Sequence, residues 1–169
     1  GLDYRSFAIA MEELARTWKL LAGTVNVAAG LVGYPIAEFG APWQRERWLA
    51  DVFAGESVAA LAMTEPDAGS DAASASTTAE RDGDELVVDG HKVWSTNGGI
   101  ADLLLVLART GEADGHRGLS LVGIPDPHDR DGVTVVRDIP SLEGEAAVET
   151  ELRFDGVRVP AENVVGDSG

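Results

Sequence analysis

The chain contains no cysteine among its 169 residues. It therefore has no disulfide framework, no thiolate metal site and no thiol nucleophile. It also shows no signal-peptide pattern, no N-glycosylation acceptor and no apolar run that we expect to span a membrane. A chain without cysteine fits a reducing compartment, and we expect a cytoplasmic location.

Basic residues are scarce: 13 Lys and Arg stand against 29 Asp and Glu, which gives a formal net charge of −16. Such a surface repels nucleic acid, because the basic patch that a phosphate backbone requires is missing. We therefore expect no nucleic-acid partner. An anionic small ligand would need backbone N–H donors, or basic groups supplied from elsewhere.

The first third of the chain has helical periodicity. Apolar residues recur at alternating steps of four and three and predict an amphipathic helix over residues 4–21, with Asp3 as its N-cap. Residues 22–32 are small and apolar on every side, which is typical of a helix buried between others. Pro35 interrupts this pattern, and the aromatic residues of the helical part are predicted to be core.

A further helix is predicted to begin at Pro42 and to end at Gly55, after which the apolar pattern becomes that of strands. Seven or so short strands with hairpin spacing follow, one pair joined by a turn at Asp82-Gly83, and they predict an antiparallel sandwich or barrel. We assign residues 1–55 to a partial α-helical domain and residues 56–169 to a β-domain. The fold class is α+β, and both ends of the chain look like those of an excerpt from a longer protein.

The segment TEPDAGSD, residues 64–71, follows an apolar strand. Pro66 restricts Glu65 to an extended conformation, and the small residues after it permit a tight turn. The exposed N–H groups of such a turn can hold an anion without formal positive charge, and Ser70 adds a hydroxyl. The alternative is a solvated loop in which Thr64 or Ser70 caps a local turn.

The segment VWSTNGG, residues 93–99, places Trp94 before two hydroxyl residues at the end of a strand. A Trp ring is a flat surface that suits stacking on an aromatic ligand, and Thr96 could donate a hydrogen bond beside it. The alternative is a buried Trp in the sheet with its indole N–H satisfied.

Together, TEPDAGSD and the later G-x-K-x-W-x-T-N-G resemble the acyl-CoA dehydrogenase family. GAPWQRERWLADVFAGE, ADLLLVLART and RFDGVRVPAENVVG look like further parts of that family, so the resemblance covers essentially the whole chain. It implies part of an N-terminal helical domain and a flavin-binding middle β-domain, while the C-terminal four-helix bundle of the family is absent from residues 1–169. It also implies FAD as cofactor, α,β-dehydrogenation of an acyl-CoA thioester, an electron-transfer partner, and a homo-oligomer (dimer or tetramer).

The resemblance also implies roles for individual residues. Met63 and Thr64 match positions at the pyrimidine edge of the flavin, and Gly69 and Ser70 match the turn at the FAD pyrophosphate, with Ser70 also near the thioester. A second group matches the flavin-binding tripeptide, with the first residue packing on the ring and the last hydrogen-bonding near N5: Trp94, Ser95 and Thr96. The flavin itself carries out the redox chemistry, and the resemblance implies that these residues orient it and tune its electronic properties.

No catalytic base is expected within this chain. In the family that carboxylate lies in the C-terminal bundle, so we expect it beyond Gly169, the last residue. Glu65 and Asp71 match turn residues and are not expected to act as the base. Glu143 and Glu145 stand near positions where the family usually has Gly and Arg, so this loop departs from the pattern. We expect this chain alone to show no turnover.

Other candidates are weaker. His116 and Arg117 lie in a loop that, in the family, passes near the substrate, and we predict that they bind it. Asp126 and its acidic neighbours fit no calcium-binding loop, so no metal site is predicted. His91 and Lys92 are predicted to be a surface pair at a hairpin end. Acyl-CoA oxidases and some flavin monooxygenases resemble the same architecture, and a non-catalytic subunit or truncated module is a third interpretation.

Overall fold

The computed structural model describes residues 3–111, 113, 115–140 and 149–167. Its first helix, α1, spans Tyr4–Thr17 and begins at Asp3, whose Oδ1 accepts a hydrogen bond from Ser6 N at 2.8 Å. The predicted N-cap is therefore present. The prediction of one helix over residues 4–21 is wrong, because Trp18 has extended backbone angles (φ −158°, ψ 108°) that end α1.

The second helical stretch is continuous although it contains Pro35. Helix α2 (Lys19–Asn26) passes through a wider turn, Val27–Gly33, into α3 (Tyr34–Phe39). In that turn Tyr34 N donates to the carbonyl of Ala29, five residues earlier, and proline, which has no N–H to donate, follows at once. The wider turn explains why the predicted interruption does not occur.

The stretch Lys19–Phe39 has 21 residues and, by length and composition alone, could cross a membrane. Our expectation that the chain has no such run is wrong on that criterion. Core helices of soluble proteins meet the same criterion, but they are mostly buried, whereas 22% of this stretch is. Its buried residues include Val27, Val32 and Ile36, which lie in a cluster shared with the strands.

The last helical stretch consists of α4 (Pro42–Gln44), a wider turn (Arg45–Leu49) and α5 (Ala50–Ala54). It begins at Pro42 and is followed by Gly55 with φ 75°, as the sequence predicts. The left-handed angle at Gly55 is one that glycine adopts without steric cost.

In the second part of the chain, the described residues form a sheet of eight strands. They are β1 (Ala59–Ala62), β2 (Thr78–Asp82), β3 (Glu85–Thr96), β4 (Leu103–Arg109), β5 (Leu119–Pro125), β6 (Val133–Ile139), β7 (Glu149–Pro160) and β8 (Val164–Val165). Their order is β6-β7-β3-β2-β4-β5-β8, with β1 beside β4. The predicted fold class, α+β with helices followed by a β-domain, is confirmed.

The strand pairs are mainly antiparallel, but the sheet is mixed. Strand β1 runs parallel to β4 over four residue pairs, and Thr78 forms one parallel pair with Arg109. The whole β2–β3 hairpin lies between β1 and β4 in sequence, and a connection of that length permits parallel pairing. The hairpin itself turns where predicted, with Gly83 at φ 66°.

The helical part is fixed on the sheet by close packing and by a buried amide. Gln44 Nε2 donates to the carbonyls of Glu162 and Val164 at 3.0 Å each. The Trp48 ring lies against Gly123 so closely that a Cβ at position 123 would be 2.5 Å from it. These contacts attach the last helical stretch to β5 and to the chain at the start of β8.

Several helical aromatic residues are not core. Trp48 is buried, but Tyr4, Trp18, Phe39 and Phe53 have more than half of their surface exposed. The prediction that the helical aromatic residues pack inside is therefore wrong for these four side chains. They leave apolar surface on the outside of the helices.

Candidate functional site

A small open cavity of about 110 Å³ lies where the helices meet the ends of β1 and β3. It is lined by residues from three segments: Val27 and Leu31 from the helical part, Leu61, Met63 and Thr64 from the end of β1, and Trp94 and Thr96 from β3. Four of the predicted cofactor-binding residues therefore share one surface. They are Met63, Thr64, Trp94 and Thr96.

Trp94 reaches this surface because β3 contains a bulge. Between the pairs Lys92↔Leu152 and Ser95↔Thr150, β3 has two residues where β7 has one. Trp94 is one of those two residues, adopts φ 59°, and has 55% of its surface exposed. A positive φ at a bulky residue costs on the order of 1–3 kcal/mol and persists only where the surrounding structure imposes it. The bulge therefore turns an aromatic ring outward, which is the arrangement that stacking on a ligand requires.

The end of β1 is joined to β3 by two hydrogen bonds. Val93 N donates to the Thr64 carbonyl at 2.8 Å, and Lys92 Nζ donates to the Met63 carbonyl at 2.9 Å. These bonds fix Met63 and Thr64 relative to Trp94, which follows Val93 directly. The two sequence motifs thus form one unit.

A buried ion pair stands behind this unit. Lys92 Nζ lies 2.8 Å from Glu65 Oε1, and the two side chains are 0% and 4% exposed. The Glu65 carboxylate also accepts hydrogen bonds from Ser76 N and Ser76 Oγ on Oε2 and from Thr77 N on Oε1, at 2.7–2.9 Å. The prediction that Lys92 is a surface residue is wrong, because its side chain enters the sheet interior and reaches this carboxylate.

The environment shifts the pKa of both groups. Burial alone would raise the pKa of Glu65, but hydrogen bonds from Lys92, Thr77 and Ser76 outweigh it and lower the pKa to about 2. Burial lowers the pKa of Lys92, and the neighbouring Glu65 opposes that effect. Glu65 is thus held ionised, is weakly basic and is out of reach of solvent, which agrees with the expectation that it is not a catalytic base.

The turn after Glu65 is exposed at its far end. Glu65 N donates to the Ala68 carbonyl at 2.8 Å and Ala68 N returns a bond at 3.3 Å, so residues 65–68 close a tight turn. Gly69 and Ser70 follow on the surface, and beyond Gly69 itself and its two neighbours in the chain no atom lies within 4 Å of where a Gly69 Cβ would be. Their predicted contacts with a pyrophosphate remain a prediction.

Ser95 and Thr96 have different surroundings. The Ser95 side chain is buried, and no residue in the described part of the chain hydrogen-bonds its Oγ. Any contact of Ser95 with a ligand on the outer surface would therefore use its backbone. Thr96 lines the cavity, and its Oγ1 donates to Glu149 Oε1 at 2.9 Å.

The loop with the predicted substrate contacts is held by Arg109, which the sequence analysis did not single out. Arg109 Nη2 donates to the Ala73 carbonyl at 3.0 Å, and Arg109 Nη1 donates to the Gly115 carbonyl at 3.3 Å. The guanidinium thereby joins the segment after Ser70 to the loop before His116 and Arg117, which are both exposed. An Arg at a strand end gives no sequence signal for this role.

The remaining expectations concern a metal site, the acidic loop and the catalytic base. Within residues 3–111, 113, 115–140 and 149–167, no group of three or more His, Cys, Asp or Glu side chains is placed to hold a metal ion. Glu143 and Glu145, where the sequence departs from the family pattern, lie outside the described residues.

Gly169, beyond which the base is expected, also lies outside the described residues, which end at position 167. The structure therefore neither confirms nor contradicts a base beyond Gly169, and that expectation stays a prediction. What the structure does show is that Glu65, the carboxylate nearest to the cavity-lining Thr64 in sequence, is buried against Lys92.

The surface offers groups that suit one face of a flat aromatic ligand such as a flavin. It offers an exposed indole, the thioether of Met63 with 40% of its surface exposed, and the hydroxyl and N–H of Thr64. A pocket for a ligand of drug size usually has roughly 300–1,000 Å³. The cavity of about 110 Å³ can therefore cover only part of such a ligand.

Comparison with known proteins agrees with this geometry. Residues 60–157 match the family model "Acyl-CoA dehydrogenase, middle domain", and residues 1–56 match "Acyl-CoA dehydrogenase, N-terminal domain". The whole chain is 35% identical to the short-chain specific acyl-CoA dehydrogenase, mitochondrial, of Mus musculus, and spans 40% of the length of that protein.

Two solved structures have the same fold. The crystal structure of acyl-CoA dehydrogenase from Geobacillus kaustophilus superposes with a TM-score of 0.88 and 36% identity, over 99% of this chain and 44% of that one. A prolyl acyl carrier protein oxidase superposes with a TM-score of 0.81 and 34% identity, over 86% of this chain and 38% of that one.

Proposed function

Because this chain belongs to the acyl-CoA dehydrogenase family, we propose that it forms the flavin-binding face of an FAD-dependent enzyme that dehydrogenates an acyl-CoA thioester. The observation that supports this most is the surface on which Trp94, Met63, Thr64 and Thr96 meet. The chain spans about two fifths of the curated relatives it matches, so the activity proposed is that of the complete protein.

In this proposal the chain's residues bind and orient the cofactor. The Trp94 ring would supply a surface for one face of the flavin, and the Thr64 N–H and hydroxyl would hydrogen-bond its pyrimidine edge. Thr96 Oγ1, which donates to Glu149, lies on the same surface and is assigned to the neighbourhood of N5. When bound, the flavin accepts the hydride that leaves the β-carbon of the thioester, while a base removes the α-proton.

The base is proposed to lie beyond Gly169. Within the chain, the Glu65 carboxylate is neutralised by Lys92 and buried, so it cannot reach a substrate. This burial supports the proposal, because it removes the carboxylate that stands closest in sequence to the cavity-lining residues Met63 and Thr64.

Two exposed segments are assigned to the anionic parts of the ligands. Gly69 and Ser70 are proposed to contact the pyrophosphate through backbone N–H groups, and His116 and Arg117 to bind the anionic part of the substrate. The Arg109 guanidinium joins the two segments, because it donates to the Ala73 carbonyl after Ser70 and to the Gly115 carbonyl before His116.

We further propose that the complete protein is a cytoplasmic homo-oligomer that passes electrons to a separate electron-transfer partner. The exposed aromatic side chains of the helices, Trp18, Phe39 and Phe53, support association with further protein surface. The division into a partial helical domain, residues 1–55, and a β-domain, residues 56–169, belongs to the same proposal.

A second candidate function is that of an acyl-CoA oxidase, an enzyme of the same fold in which oxygen accepts the electrons from the reduced flavin. It is favoured by one observation, the likeness to a solved prolyl acyl carrier protein oxidase. A flavin monooxygenase or a non-catalytic module would share the surface too, but no contact within the described residues favours either.

The test uses the full-length protein, purified with FAD. Acyl-CoA thioesters of several chain lengths are added without oxygen, and the visible flavin absorption is followed; an electron-acceptor dye is then added. Dehydrogenation predicts bleaching by at least one thioester and dye reduction. Full flavin content with no bleaching by any thioester would reject the activity, and rapid oxygen consumption by the bleached enzyme would identify the oxidase.

A further inference from the structure

The peptide unit between Met63 and Thr64 has a buried cation at one end and the candidate cavity at the other. Its carbonyl accepts a hydrogen bond from Lys92 Nζ at 2.9 Å. Its N–H belongs to Thr64, a residue that lines the cavity. No residue in the described part of the chain accepts a backbone hydrogen bond from this N–H.

An ammonium that binds a carbonyl oxygen draws electron density towards that end of the peptide unit. The N–H at the opposite end becomes a stronger donor, and the effect grows where the surroundings have a low dielectric constant. The Lys92 side chain is completely buried, so water does not screen this interaction. Lys92 thus acts on the cavity through one peptide unit and without touching its contents.

Glu65, the counter-ion of Lys92, is anchored in a way that keeps the Lys92 ammonium beside the Met63 carbonyl. Glu65 is anchored by the N–H groups of Ser76 and Thr77 and by the Ser76 hydroxyl, so part of its negative charge is neutralised by donors other than Lys92. Its low pKa, which results from Lys92 and these donors outweighing burial, keeps it ionised. The Lys92 ammonium is thereby held between the Glu65 carboxylate and the Met63 carbonyl.

We propose that the buried Lys92–Glu65 pair tunes the redox preference of the bound flavin through the Met63–Thr64 peptide. This inference rests on the function proposed above. A flavin that accepts a hydride gains two electrons and one proton, and the negative charge lies on its pyrimidine edge. With the flavin bound there, a polarised Thr64 N–H would bind the reduced form more tightly than the oxidised form, and so would raise the reduction potential. Lys92 and Glu65 are positioning residues in this account.

A merely structural ion pair would stabilise the same turn but would not act on the potential. The two roles separate in a variant that removes both charges and keeps the volume, because replacing a buried pair by neutral groups of similar size is often tolerated. The Glu65→Gln/Lys92→Met double variant meets that condition. Glu65→Gln/Lys92→Gln is a second choice that keeps an uncharged donor near Met63.

The experiment measures the reduction potential of the flavin in the full-length, FAD-loaded protein by anaerobic titration against a reference dye. We expect the double variants to retain FAD and to lose about tenfold in the ratio of affinities for reduced and oxidised flavin. For a two-electron couple this corresponds to a potential about 30 mV more negative. The matched control is Glu12→Gln/Arg16→Met, which removes an exposed ion pair of α1 and should leave the potential unchanged.

Two results would overturn the inference while leaving the proposed function intact. One is an unchanged potential in a double variant that holds FAD. The other is loss of FAD from both double variants when the control retains it, which would assign the pair a structural role only. Failure of the unaltered protein to bind FAD would instead reject the proposed function, and this inference with it.

Discussion

Lys92 Nζ lies 2.8 Å from Glu65 Oε1 in the interior of the sheet, and the same nitrogen donates to the carbonyl of Met63. One residue comes from the turn that follows β1 and the other from β3, so a single buried pair joins two motifs that are 27 residues apart in sequence. The surface that we assign to the flavin is built on this pair. Its energetics can be tested without any ligand.

Removing only one partner of the pair should be severely destabilising. Lys92→Met leaves the Glu65 carboxylate buried and without its cation, which typically costs about 3–5 kcal/mol of unfolding free energy. Adding Glu65→Gln should restore most of that loss, to within about 1 kcal/mol of the unaltered protein. Urea unfolding of the flavin-free protein measures both. Equal losses in the single and double variants would show that packing volume, and not charge, is the cause.

Lowering the pH should reduce the unfolding free energy, because Glu65 becomes protonated. Its pKa is about 2 in the folded protein and 4.5 ordinarily, because the bonds from Lys92, Thr77 and Ser76 outweigh burial. The folded state thus binds the proton less tightly than the unfolded state. The resulting stability, on the order of 3 kcal/mol, is fully present above about pH 4.5 and is lost as the pH falls towards 2.

The measurement compares unfolding free energies at neutral pH and near pH 3 in the unaltered protein and in Glu65→Gln/Lys92→Met. The unaltered protein should lose about 2 kcal/mol more than the double variant over this interval. Identical pH dependence in the two proteins would contradict the assigned pKa of Glu65.

Local signals predicted much of the fold. Asp3 at a helix start, Pro42 at another and Gly55 after a helix end each act through neighbouring backbone groups, so the sequence suffices to place them. The parallel pairing of β1 with β4 depends on partners more than 40 residues apart, and no local pattern reveals it.

The sequence predicted four of the residues that line the cavity, but not the long-range contacts that hold them in place. Alternation along β3 puts Leu86, Val88 and Lys92 on its inner face, and this spacing could have shown that Lys92 is buried. The charge of lysine argued for the surface, and the carboxylate that compensates it lies in a distant segment. The positive φ of Trp94 arises from the pairing of β3 with β7, which sequence periodicity does not show.

The contact between the helices and the sheet should fail when position 123 gains a side chain. A Cβ at Gly123 would lie 2.5 Å from the Trp48 ring, so Gly123→Ala must displace that ring or the strand. We expect a loss of about 1–3 kcal/mol in thermal or urea unfolding. Gly69→Ala, where nothing lies within 4 Å, is the control and should change stability by less than about 0.5 kcal/mol. Comparable losses in both variants would contradict the described packing.

Thr96→Val should slow flavin reduction with little effect on stability. The hydroxyl, which donates to Glu149 at 2.9 Å, is assigned to the flavin N5 region, and a valine has the same shape without the hydrogen bond. We expect a rate about tenfold lower in anaerobic stopped-flow reduction by a thioester substrate. Thr96→Ser keeps the hydroxyl and should retain most of the rate. A Val variant as fast as the unaltered protein would remove Thr96 from the site.

The most direct test of the central claim, that the surface around Trp94 holds the flavin, compares two tryptophans. Trp94 and Trp18 are each 55% exposed, but only Trp94 lines the candidate cavity. Trp94→Ala and Trp18→Ala are purified as full-length proteins, and the FAD bound per polypeptide and its dissociation constant are measured. We predict that Trp94→Ala weakens FAD binding about tenfold or more, through the loss of roughly 1–3 kcal/mol of stacking, while Trp18→Ala binds FAD normally. Equal FAD affinity in Trp94→Ala and the unaltered protein would contradict the account.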